Sequence, residues 1–310
     1  MTKKIEGKLL QIPILNWLVK LTMKVKIPGL QGMSLYDLLE MYIIGIVNGA
    51  LTSRAGAIAF SFFMALFPFL LFILTLIPFI KIEGFNEDFM ELIYDILPPN
   101  TSESVDLVIN DIANNTYSGL LSFGFLASVL LMTNGVNAIF GGFEYSYHVK
   151  VTRNIVKQYL VALGVSLILS IILILTVAIM VYFELGIQNL ISNGWSGDAK
   201  YWIKIGRVIF FILMIYTSVS ILYNYGVKNL KQRSYLTAGA VMTTILTILM
   251  FYLFGIYVEK FAQYNKLYGS IGTLLILMLF VWLNSIILLL GFELNASMNR
   301  LKLKHKIQKR

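Results

Sequence analysis

The sequence predicts an all-α integral membrane protein: a bundle of six transmembrane helices, with an amphipathic helix lying at the interface before them and short helices in the first outer loop. Three observations carry this. Hydrophobic residues make up 58% of the 310-residue chain and charged residues 13%, against about 25% charged in an ordinary soluble domain. The apolar residues gather in blocks of about 20, the length at which a helix spans the hydrocarbon layer. The basic residues gather in alternate loops. Cysteine is absent, which excludes disulfides and thiolate-ligated zinc and says nothing of redox compartment.

Residues 1–34 form a basic segment. Its stretch "LLQIPILNWLVKLTMKVKIP" is broken by Pro13, Asn16 and Lys20, too often for a spanning helix. No small-residue cleavage site follows a clean apolar core, so a signal peptide is not expected. Trp17 with Lys20, Lys24 and Lys26 suits a segment lying on an anionic membrane surface. A basic disordered tail is the alternative. In "SLYDLLEMYIIGIVNGAL", Leu35, Leu38, Leu39, Tyr42, Ile43 and Ile46 fall at helical spacing. Asp37, Glu40 and Gly45 interrupt it, which favours an interfacial helix over a seventh span.

The six spans are expected at roughly 55–80, 118–140, 157–183, 203–224, 236–258 and 271–293, inside a membrane domain of residues 35–299. A basic tail, 300–310, follows. With the N-terminus in the cytoplasm, nineteen of the 25 basic residues fall on the cytoplasmic side, the positive-inside distribution. Both termini are then cytoplasmic, and topology accounts for the formal charge of +9 without a nucleic-acid surface. The first outer loop, 81–117, carries eight acidic residues and one lysine. Phe85, Phe89, Leu92, Ile93 and Ile96 share one helical face before Pro98 and Pro99. Val105, Val108, Ile109 and Ile112 share another after Thr101 or Ser102, either of which can cap. Two short amphipathic helices are expected at about 83–114. Their acidic faces are read as solvated, with cation recruitment as the sharper alternative.

Ionisable and amide side chains at membrane depth are costly, so each is a candidate site. Arg54 opens the first span, Asn134 and Asn137 lie in the cytoplasmic half of the second, and Glu144 follows at its exit. Asn284 sits near the middle of the sixth span, and Glu293 and Asn295 near its cytoplasmic end. Arg54 and Glu293 lie at similar depth, and an unpaired buried charge is expensive, so if Glu293 faces the bundle Arg54 is its expected partner. Three readings of Glu293 stand: a structural pair with Arg54, a group on a transport path, and a carboxylate that snorkels to the interface. Pro68, mid-span, frees a carbonyl one turn earlier and is expected to kink the first helix. Ser61, Ala65, Gly269, Gly272 and Gly291 are small enough to allow close helix packing.

Three stretches resemble the YihY/BrkB family of bacterial inner-membrane proteins. They are "SRAGAIAFSFFMALFPFL", "NAIFGGFEYSYHVKVTRNIVK" and "YGSIGTLLILMLFVWLNSIILLLGFELNAS". The last contains Tyr268, Gly269, Gly272, Trp282, Leu290, Gly291 and Glu293 in the order of that family's C-terminal signature. The resemblance covers roughly residues 35–300. It implies a six-helix protein of the bacterial cytoplasmic membrane, from a family whose members carry the labels virulence factor, transporter and, historically, ribonuclease BN. It implies no catalytic residues.

The functional expectation is a transporter or translocator of a lipid, another amphiphile or a small solute, with Arg54, Asn137, Asn284 and Glu293 lining any cavity. The alternative is a scaffold or envelope factor that transports nothing. No G-x-x-x-x-G-K-[ST] occurs, so any transport is passive, ion-coupled or driven by a partner. A nuclease needs a metal cluster or a paired acid and base. His148 and His305 are isolated and cytoplasmic carboxylates are few, which argues against ribonuclease activity and for no enzyme at all. No cofactor, metal or nucleic acid is expected. The expected partners are membrane lipids and a second copy of the chain.

Overall fold

The computed structural model describes residues 21–26, 34–36, 50–76, 118–146, 153–192, 199–227, 235–261 and 270–308. These hold six long helices: α1 (Ala50–Leu76), α2 (Ser118–Glu144), α3 (Ile155–Ser192), α4 (Ala199–Gly226), α5 (Ala238–Phe261) and α6 (Ser270–Gln308). The one pairing of extended backbone among the described residues is the isolated bridge between Lys26 and Ser34. The interfacial helix expected after residue 34, the acidic-loop helices at 83–114, and Tyr268 and Gly269 lie outside the described residues, apart from 34–36.

Helix is the form that satisfies every backbone donor and acceptor of an apolar segment from within. Five of the six, α2 to α6, are long and apolar enough to cross a membrane; the described apolar stretch of α1, Leu51–Leu66, is shorter. Two helices outrun their expected ends. α3 continues to Ser192 and has 38 residues, about 57 Å at ~1.5 Å per residue, where the hydrocarbon layer is about 30 Å thick. α6 continues to Gln308, so most of the segment read as a separate basic tail is the last two and a half turns or so of the sixth helix, at about 3.6 residues per turn. α1 runs through Pro68 to Leu76 without ending.

Chain neighbours pack as neighbours: α1 on α2, α2 on α3, α3 on α4, α4 on α5 and α5 on α6, and α6 closes back onto α1. The core is not spread evenly along the helices. It gathers at the end where α1, α3 and α5 begin and α2 and α4 finish, from Leu51, Ala55, Ile58, Val136, Phe140, Phe143, Ala162, Val165, Leu222, Tyr223, Leu289 and Phe292. Phe143 stacks on Phe292 at 4.1 Å between ring centres and meets Tyr223 edge-on at 5.7 Å. Toward the other end large apolar side chains are exposed, among them Ile171, Ile174, Leu175, Val177 and Tyr182 on α3. In a bilayer that surface faces lipid.

α5 and α6 approach closest where Gly239 and Gly291 meet backbone to backbone. Polar side chains fix the register there. The Tyr223 hydroxyl donates to the Leu288 carbonyl at 2.7 Å and shares a hydrogen bond with Thr243 Oγ1 at 2.6 Å. Thr237 caps α5 by accepting from the Ala240 N–H. Asn295 donates to Thr237 Oγ1 at 2.9 Å and accepts from the Gly239 N–H at 2.8 Å. Tyr223 is 3% exposed, and interhelical hydrogen bonds of this kind contribute roughly 0.6–1.7 kcal/mol. Tyr223→Phe is therefore expected to lower stability by about 1 kcal/mol, read from an unfolding titration in mixed detergent.

Candidate functional site: a buried ion pair where three helices meet

Arg54, one turn into α1, reaches across to Glu293 of α6. Its Nη1 and Nη2 both lie on one carboxylate oxygen, Oε1, at 3.2 and 3.1 Å. The side chains are 11% and 12% exposed. The second carboxylate oxygen, Oε2, accepts from the Ser146 hydroxyl at 2.7 Å. Arg54 Nη1 also donates to the Gly142 carbonyl at 2.8 Å. That carbonyl is one of the last four of α2, which lack intrahelical partners and carry the negative end of the helix dipole. A cation is the natural ligand for it. Gly142 makes the approach possible: a Cβ there would stand 3.0 Å from Ile58 Cδ1 and 3.1 Å from Leu289 Cδ2. One cation and one carboxylate thus tie the end of α2 to α1 and α6.

A second carboxylate ties the same end of α2 to α3 and α4. Glu144 accepts from the Arg153 backbone N–H at 3.1 Å. Gln158 of α3, its amide oriented by the carboxylate, donates to Glu144 Oε2 at 2.9 Å and meets the Asn137 side chain at 3.1 Å. The Arg153 guanidinium then donates to the Tyr225 carbonyl at 2.6 Å and the Val227 carbonyl at 3.1 Å, capping the end of α4. It sits 6.0 Å from the centre of the Phe140 ring, close enough for a cation–π contribution.

The residues selected by depth therefore occupy separate places. Arg54 and Glu293 are in contact. Asn137 belongs to the Glu144 network. Asn134 is exposed on α2. Asn284 donates to the Phe280 carbonyl of its own helix at 2.9 Å, and its Oδ1 is buried without a hydrogen-bond partner. Trp282 points its Nε1 at the Thr52 carbonyl at 3.5 Å. Gly272 is buried on α6. Ser146, Arg153, Gln158, Tyr223 and Thr243, all central to the polar contacts, are not marked out by depth in the sequence. Arg153 counted in the sequence only as one of the basic residues that set orientation, and Ser146 lies just past a helix end, where periodicity gives no signal.

An open groove of about 230 Å³ lies between α1 and α6, lined by Gly56, Ala59, Leu275, Met278, Leu279 and Trp282. It is apolar. Neither Arg54 nor Glu293 lines it. Among the described residues, no three His, Cys, Asp or Glu side chains come together in a metal-binding arrangement.

Residues 46–310 match the family described as virulence factor BrkB. The chain is 30% identical over 255 residues to the ribonuclease-like protein YfkH of Bacillus subtilis, an alignment covering 81% of this chain and 90% of that protein. It is 24% identical over 246 residues to a UPF0761 membrane protein of Coxiella burnetii, covering 77% of this chain and 84% of the relative. A UPF0761 membrane protein of Xanthomonas oryzae is 22% identical over 260 residues, covering 81% of this chain and 58% of the relative. No solved structure matches the chain.

Proposed function

The chain belongs to the virulence factor BrkB family, and from that premise we propose that it is a transporter or translocator of a lipid, another amphiphile or a small solute. It is a multi-pass membrane protein. In our reading it crosses the bacterial cytoplasmic membrane six times, with α1 as the first span and both termini in the cytoplasm. The orientation rests on the distribution of lysine and arginine among the loops.

One observation carries the transport reading: a nearly buried Arg54–Glu293 pair at the junction of three helices in a membrane protein. Replacing such a pair with apolar residues is often neutral or stabilising, so stability alone is a weak reason for it to be there. A translocation step gives the two charges work to do. The reading includes no ribonuclease chemistry. Glu144 and Glu293 are each held by donors, which leaves neither placed as a free base.

A second reading, a scaffold that transports nothing, is favoured by the separation of Asn137 and Asn284 from the ion pair and by the apolar lining of the α1–α6 groove.

Purified protein in liposomes decides between them. Fluorescent phospholipids are expected to cross the bilayer faster than in empty liposomes, and Glu293→Gln is expected to abolish the gain while eluting as a folded, monodisperse species. Wild-type rates in Glu293→Gln would remove the pair from the mechanism. An absence of movement for phospholipids and for small anions alike would favour the scaffold.

A further inference from the structure

We infer that the open groove between α1 and α6 is a binding site for an acyl chain of a membrane phospholipid, and that it recognises the chain and not the headgroup. The inference goes beyond the transport reading and does not rest on it, since a chain can occupy the groove whether or not the protein moves a lipid.

Place, shape and chemistry point to this occupant. Leu275, Met278, Leu279 and Trp282 of the groove lie within the membrane-crossing stretch Leu274–Met298, and Gly56 and Ala59 within the apolar stretch Leu51–Leu66. What meets an opening at that depth is lipid hydrocarbon. The α6 wall runs from Leu275 to Trp282, a rise of about 10 Å at ~1.5 Å per residue. α6 crosses the membrane, so the long direction of the groove follows the direction of the lipid chains. Ala59 is buried at its floor, and Leu275 stands half exposed at its rim. The volume of about 230 Å³ exceeds that of an apolar cavity of ~150 Å³ that takes up benzene. It accommodates a stretch of a chain and not a whole lipid.

None of the lining side chains is charged. The Trp282 indole is the only one of them with an N–H, and it is directed at the Thr52 carbonyl at 3.5 Å. A phosphate or a carboxylate finds no partner in such a lining, and a water needs about two to four polar neighbours to stay. Lipid tails are as apolar as leucine, so removal from water does not drive a chain into the groove. Contact does. A concave wall touches the chain on several sides, and dispersion contacts that are individually small add up. Gly56 keeps the wall concave. A Cβ there would meet nothing within 4 Å, whereas at Gly142, Gly239 and Gly291 it would run into neighbouring atoms. At those three positions the missing side chain lets helices close up; at Gly56 it leaves room.

The test uses the full chain with Trp17, Trp195 and Trp202 changed to Phe, so that Trp282 is the only reporter. It is reconstituted in phosphatidylcholine bilayers in which a fixed share of the lipid carries brominated chains, which quench indole fluorescence on contact. The parent is expected to be strongly quenched. Gly56→Leu, which puts a side chain into the groove, is expected to lose most of that quenching. Gly164→Leu is the control: a Cβ there also meets nothing within 4 Å, but α3 does not line the groove, and parent-like quenching is expected. Leu279→Ala widens the groove and is expected to raise the quenching, which decides the matter should Gly56→Leu fail to fold. Phosphatidylglycerol with the same brominated chains is expected to quench as phosphatidylcholine does. Equal quenching in the parent and Gly56→Leu overturns the inference, whether water, another helix or nothing fills the groove. Unchanged quenching in Leu279→Ala, or quenching by one headgroup class alone, overturns it too.

Discussion

Arg54→Ala and Glu293→Ala each lose the folded protein in detergent under conditions where the parent stays monodisperse, and Arg54→Met/Glu293→Met recovers most of what either single change loses. The asymmetry follows from burial. The two side chains are 11% and 12% exposed, so water cannot take over from a missing partner. Removing one member of a buried pair typically costs about 3–5 kcal/mol, because the other is left as an uncompensated charge. Replacing both with apolar groups of similar size removes the charge and its desolvation together, which is often neutral or better. Glu293→Ala is the more harmful of the two single changes. It strands a guanidinium that cannot be neutralised, and it also breaks the hydrogen bond from the Ser146 hydroxyl to Oε2. Arg54→Ala leaves a carboxylate that still keeps its bond to Ser146. Glu293→Gln is milder than Glu293→Ala, because its amide oxygen still accepts from Arg54 or Ser146. The measurement is a double-mutant cycle from thermal unfolding in one detergent. Singles and double that lose stability in simple proportion would show that the pair is solvated and that its burial has no energetic consequence.

The Arg54–Glu293 contact is the part of the site that the sequence makes legible, and the reason is geometric. Counting helices and assigning orientation by loop charge puts both residues at the same depth, and of the two carboxylates at that face Glu293 lies inside its apolar run while Glu144 follows a helix exit. Asn137 and Asn284 share the chemistry but not the place. Depth is read along the helix axis, while lateral position depends on which face of which helix turns where, and six nearly uniform apolar helices say little about that. Ser146 and Arg153 escape for a different reason. They stand outside the helical repeat: Arg153 matters because the carbonyls at the end of α4 need partners, and Ser146 because its hydroxyl donates to Glu293 Oε2. Helix ends escape too. Hydropathy reads where the membrane stops, not where the helix stops. In "MNRLKLKHKIQ" the apolar run is over, but lysine, leucine, arginine and glutamine are good helix formers, and α6 carries on to Gln308. The same holds where α3 runs on to Ser192 through a sequence with no proline to stop it.

The second large effect is expected at Gly291, and here adding one methyl group does the damage. A Cβ at that position would run into Thr243 Oγ1, the Tyr223 hydroxyl and the carbonyl of Gly239. Two of these are the atoms that hold α4 and α5 against α6. The third is backbone, which cannot swing aside as a flexible side chain can. Gly291→Ala must therefore push α5 away from α6 or expel the Tyr223 hydroxyl from between Thr243 and Leu288. Overpacking of this kind costs about 1–3 kcal/mol, and the lost interhelical hydrogen bonds add roughly 1 kcal/mol more. Gly239→Ala should behave alike, since its Cβ would meet the Gly291 carbonyl and the Asn295 side chain. Helix propensity works in the opposite direction, favouring alanine over glycine by about 1 kcal/mol in a helix interior, so the sign of the result is informative. Gly164→Ala and Gly255→Ala are the controls. A Cβ at either meets nothing within 4 Å, and both variants should be as stable as the parent or slightly more so. Parent-like unfolding temperatures for Gly291→Ala would mean that α5 and α6 do not touch at this point. If instead Gly291→Ala falls while both controls hold, the close approach of the two backbones is what fixes α5 on α6. The end of α6 that carries Glu293, two residues beyond Gly291, is then part of a rigid unit, and any movement at the ion pair has to come from α1 and α2.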